Sequence, residues 1–121
     1  MSLIQDKQAK IVNGLYKSTQ RGKIKWLPFE DEPGCVTAEI SDKQVYINEY
    51  HSNDTDSVKL EIYANGVLAD SFIDDELSSS EVESVTNEGW FLTMTSLLEN
   101  ARRKSTGADE VLDSLLKDLG E

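Results

Sequence analysis

His51, Asp54 and Asp56 lie within six residues of one another, and an imidazole with two carboxylates at a hairpin tip is the donor set from which a divalent-metal site starts. Three ligands on one turn, with no second cluster nearby in sequence, leave such a site incomplete. A solvated turn rich in Ser, Asn and Asp accounts for the same residues, so no metal is assigned. Cys35 and His51 supply a thiol and a base, but the pattern offers no third group to orient the imidazole, which nucleophilic catalysis needs. The stretch from Gly14 to Lys23 has only a superficial likeness to a phosphate loop. Lys17 stands where the first glycine is required, and Ile24 replaces the hydroxyl residue. Ser114 and Lys117 have the Ser-x-x-Lys spacing of some acyl enzymes, on a short terminal segment without the rest of such a site. The chain therefore reads as a non-enzyme, with no catalytic residue and no cofactor.

Two groups of side chains point instead to contact with another molecule. Tyr46, Tyr50 and Tyr63 alternate with apolar residues in strand-like runs, so they share the face of a sheet opposite its core, where tyrosine is common in partner surfaces. Lys10, Lys17 and Arg21 are spaced by seven and four, which places them on one stripe of a helix. That stripe has two readings: ion pairs with the protein's own carboxylates and its helix end, or a contact for an anionic partner.

Charge is distributed unevenly. The formal net charge is -11, yet residues 1–25 carry six cations against Asp6 alone, while residues 26–100 carry Lys43 and Lys59 against seventeen carboxylates. A body of that sign repels phosphates and anionic headgroups at long range, which makes nucleic acid an unfavoured partner and a membrane surface an unexpected one. The acidic turns Glu30-Asp31-Glu32 and Asp74-Asp75-Glu76 are expected to be solvated, keeping the protein soluble.

The elements that hold these residues follow from periodicity. From Leu3 to about Thr19, Ile4, Ile11, Val12 and Leu15 fall on one side at helical spacing, with Gly22 as the stop. The rhythm then changes to two. Ile24, Trp26 and Phe29 form a short first strand whose Pro28 requires an edge. Val36, Ala38 and Ile40, then Val45 and Ile47, then Val58, Leu60 and Ile62 mark three strands facing one core, and Val67–Ile73 is the last strand after the Asn65-Gly66 turn. Residues 74–86 are a polar linker with room for one helical turn. Asn87 is expected to cap a second long helix whose Trp90, Phe91, Met94, Leu97, Leu98 and Ala101 are core material. Gly107 interrupts it, Thr106 with Asp109 resembles a cap, and Leu112, Leu115, Leu116 and Leu119 make a final short amphipathic helix.

One α+β domain over residues 1–121 is the result: an N-terminal helix, an antiparallel meander of four or five strands, and C-terminal helices packed on one sheet face. MSLIQDKQAK has no apolar leader core, and the single cysteine permits no internal disulfide, so a cytoplasmic location is expected. The segments LYKSTQRGKIKW and LLENARRKSTGADEVLDSLLKDL, about a third of the chain, resemble small bacterial and prophage-associated proteins of unassigned function. The resemblance implies the same helix, meander, helix layout and carries over no site. The expected function is a bacterial or phage-encoded interaction module that pairs with itself as a homodimer or with another protein. The alternative is an acidic nucleic-acid mimic that inhibits a basic nuclease or DNA-binding protein.

Overall fold

The computed structural model describes residues 3–121. Helix α1 (Leu3–Gln20) ends where Gly22 takes a left-handed conformation, φ +69°. Gly22 N–H then donates to Thr19 O at 3.1 Å and Lys23 N–H to Ser18 O at 2.9 Å, the paired bonds that close a helix when a glycine follows it. Strands β1 (Leu27–Pro28), β2 (Val36–Ile40), β3 (Lys43–Ser52), β4 (Thr55–Ala64) and β5 (Val67–Ile73) form one antiparallel sheet in sequential order. Pro28 lies on the edge strand, where its missing N–H costs no ladder bond. Asn65 and Gly66 both have positive φ, as the tight β4–β5 turn demands. A short 3-10 turn (Asp74–Ser79) leads to α2 (Trp90–Thr106) and α3 (Ala108–Asp118).

The architecture is thus α+β, with the helices on one face of the meander. The register explains which face. Val45 pairs with Ile62 and Ile47 with Leu60 across β3 and β4, and Val36 pairs with Ile47 across β2 and β3, so one row of branched apolar residues faces the helices. Ala9, Val12 and Leu15 from α1 and Met94, Leu97, Leu98 and Ala101 from α2 close over that row, with Trp26, Phe72 and Leu77 filling its margins. Helix α2 touches the strands directly, α1 packs beside it, and α3 adjoins α2.

Several local expectations are corrected. The buried face of α1 consists of Gln8, Ala9, Val12, Leu15 and Thr19, whereas Ile4 and Ile11 are exposed. The rotation is set by Thr19, whose hydroxyl accepts the buried indole N–H of Trp26 at 2.9 Å and so turns inward. Asn87 does not cap α2. Its N–H donates to Ser84 O in a turn at positive φ, and the cap position is Gly89, whose carbonyl accepts both the N–H and the hydroxyl of Thr93. Phe91 is exposed on the first turn of α2 rather than buried. Thr106 does not cap α3, because its hydroxyl donates back to the carbonyls of Arg102 and Arg103. Finally, the polar segment after β5 is tied down. Asp6 accepts from Ser80 Oγ and Glu81 N–H, and the Asn13 amide donates to Glu83 O while accepting from Val85 N–H.

Candidate interaction site

The tyrosines lie on the sheet face away from the helices, as their alternation requires. Tyr46 stands edge-to-face with Tyr63 at 5.3 Å between ring centroids and with Phe29 at 5.0 Å, so Phe29 from the edge joins a three-ring row across the sheet. Tyr50 is separate, with the Lys59 ammonium 5.1 Å from its ring centroid. Tyr46 and Tyr63 are half-buried by each other and by their neighbours, and Tyr50 is just exposed. Cys35 sits beneath the same face. Burial, reinforced by Glu32, pushes its thiol up to about 12, which makes it a poor nucleophile.

His51 is on the other face, so the structure keeps it apart from Cys35. Its Nδ1 lies 2.7 Å from Asp56 Oδ1 and its Nε2 3.4 Å from Glu49 Oε2. The Asp56 hydrogen bond raises its pKa above the ordinary histidine value, and Glu49 adds to that. Asp54 is not part of the group: it occupies the hairpin tip at positive φ. Among the described residues no three His, Cys, Asp or Glu side chains converge as a metal site. The group is completed by Arg102 of α2, which the spacing gave no reason to place there. Its guanidinium donates to Glu49 Oε1 at 2.9 Å, Asn48 Oδ1 at 3.1 Å and Gly34 O at 2.8 Å, and it holds the Glu49 carboxyl below the usual range. Gly34 has φ +78°, and a Cβ there would stand 2.8 Å from that guanidinium. The arrangement pins α2 to β3 and to the turn before β2.

Lys10 and Lys17 on α1 and Arg21 just past its end are all exposed, and among the described residues none forms an ion pair. The expectation that they form ion pairs with the acidic body is therefore not met, and among those residues Lys10 has only Asp6 of its own helix as an electrostatic neighbour. Lys17 does lie in the last turn, where the helix dipole favours a cation. The same helix walls an apolar groove of about 580 Å³ between α1 and strands β2 to β4, lined by Ile11, Leu15, Ile24, Ile40, Val45 and Ile62, with Lys23, Lys43 and Glu39 at its margin.

Helix α3 is the least partnered element. None of its residues is buried, and Val111, Leu112, Leu115, Leu116 and Leu119 expose between 50% and 66% of their surface along one stripe. It leaves α2 through a single left-handed residue, Gly107, and is braced at its start by the Arg103–Asp109 ion pair. The chain pattern revealed this stripe but not its isolation, since a row of leucines at helical spacing reads equally as core. Among the described residues no helix is long and apolar enough to cross a membrane. No protein-family model matches the chain, and neither a curated protein nor a solved structure matches it.

Proposed function

We propose that this protein is a non-enzymatic interaction module, of bacterial or phage origin and working in the cytoplasm, that docks through helix α3, first of all with itself. One observation carries the reading: an 11-residue helix exposes four large apolar side chains and buries none, and Leu119 at its C-terminal cap extends the same stripe. Isolated helices shorter than about 12–15 residues are marginal in water, and their stability in proteins comes from packing an apolar face. Completing the burial of each of these half-exposed side chains is worth about 1 kcal/mol, so a partner surface is what the helix lacks. The chemistry of the rest agrees, because the Cys35 thiol is held protonated and both imidazole nitrogens of His51 face carboxylates rather than a nucleophile. The reading as an acidic nucleic-acid mimic has less support. Asp74 accepts Val58 N–H and Glu76 accepts Ile73 N–H, so two of the three carboxylates in that cluster face the protein's own backbone. Light scattering on the purified chain at micromolar concentration is expected to give a mass near twice 13.5 kDa. A monomer throughout that range would end the self-pairing form of this reading.

A further inference from the structure

We infer that the α3 stripe of one copy occupies the α1–sheet groove of a second copy, and that the exchange is reciprocal, so that two copies each give a helix and receive one. This rests on the interaction reading above and specifies its partner and its contact.

Three observations select this occupant. The first is fit of character. The groove is a concave apolar surface of about 580 Å³ whose walls come from Ile11, Ile24, Ile40 and Ile62, and α3 is the complementary convex element, an amphipathic helix with its leucines outward. The second is charge. Residues 108–121 carry Asp109, Glu110, Asp113, Asp118 and Glu121 against Lys117, whereas residues 1–25 carry six cations against Asp6 alone. Lys10 and Lys17 each precede a residue that lines the groove, Ile11 and Ser18, and Lys23 and Lys43 line it themselves. Among the described residues Lys17 and Lys23 form no ion pair, Lys10 has only Asp6 of its own helix as an electrostatic neighbour, and Lys43 is held by the adjacent Asp42, so the acids flanking the α3 stripe are counterparts for the unpaired cations beside the groove. Pairing α3 with a second α3 would instead bring two acidic helices together. The third is area. An 11-residue helix is about 16 Å long, too short for one α3–α3 contact to approach the roughly 1,200–2,000 Å² of a stable interface. Two helices in two grooves double the contact, and a two-fold arrangement closes on itself without leaving a free end.

The test uses full-length chains and two variants. Leu112→Ser with Leu115→Ser removes the knob, and Ile11→Glu, at an exposed wall position, places a carboxylate in the hole. Circular dichroism and the fluorescence of Trp26 and Trp90 report that each variant is folded. Sedimentation velocity is expected to show that each variant alone self-associates at least tenfold more weakly than the native chain. Mixing the two is expected to give association stronger than either variant alone but weaker than the native chain, because the mixed pair keeps one of its two contacts, the intact helix of the Ile11→Glu copy in the intact groove of the serine variant. A native dimer that survives Ile11→Glu, or a mixture that associates no more strongly than the two variants do separately, overturns the exchange while leaving an interaction module that pairs by another surface. A monomeric native chain overturns both.

Discussion

At the scale of residues, the group of Arg102, Glu49, His51 and Asp56 decides how this end of the molecule responds to pH. His51 has a raised pKa in the folded state, so its contribution to stability is present below about pH 6.5 and is lost as pH rises through the folded value. Glu49 has a lowered pKa, so its contribution is present above the ordinary glutamate value and is lost as pH falls through its folded one. His51, Glu49 and Asp56 are substantially exposed to water and Arg102 is half-buried, so water screens the pairs and keeps the effect small. Asp56→Asn is expected to bring the His51 pKa down toward its ordinary value, followed by the imidazole proton shifts in an NMR titration. An unchanged midpoint would show that the 2.7 Å contact does not form in solution. The sequence brought His51 and Asp56 to notice for metal binding. It could not bring Arg102, fifty-one positions further on, whose placement depends on how α2 crosses the sheet.

At the scale of elements, the order of pieces was legible because each piece obeys its own local rule. The Asn65-Gly66 turn, the Gly22 stop and the edge position of Pro28 all follow from backbone sterics within a few residues. The faces of the helices were less legible. Ile4 and Ile11 of α1 looked like core by spacing, yet α1 is rolled so that Thr19 reaches Trp26 and Asn13 reaches the segment after the 3-10 turn. Helices tolerate such rolling, since a stripe of apolar residues broader than the contact leaves several orientations open. Asn13 holds Glu83 O and Val85 N–H with the two ends of one amide, as another backbone segment would. Asn13→Ala is therefore expected to cost about 1–2 kcal/mol in urea unfolding and to expose the segment between Ser80 and Gly89 to limited proteolysis. Unaltered cleavage there would mean that Asp6 alone holds the segment.

At the scale of the whole molecule, charge separates two ends. The sheet, its turns and α3 are acidic, and α1 with the chain that follows it is basic, so copies of this protein repel one another except where α1 meets an acidic surface. The same asymmetry makes phosphate backbones an unexpected partner. The exposed cations of α1 are few and lie beside a strongly negative body, so neither duplex nor single-stranded oligonucleotides are expected to shift in mobility at about 50 mM salt, where electrostatic binding is favoured. A salt-sensitive shift that vanishes on changing Lys10 and Lys17 to Gln would assign the stripe to nucleic acid instead.

The alternation of apolar and polar residues by itself marked the four longer strands and the separation of the Tyr46 and Tyr63 row from the core, because a strand's side-chain period leaves only two faces to choose between, and the short links implied their sequential antiparallel order; the edge strand, expected at Ile24, Trp26 and Phe29, is only Leu27–Pro28. The chain pattern also determined the helical content of both ends and the amphipathic character of α3. Only the tertiary structure decided which apolar stripes find cover. The Met94 and Leu97 stripe of α2 lies against the sheet, while the similar Leu112 and Leu115 stripe of α3 does not. Hydrophobicity is a property of a surface and not of a destination, so a chain pattern can say that a face should be buried without saying against what.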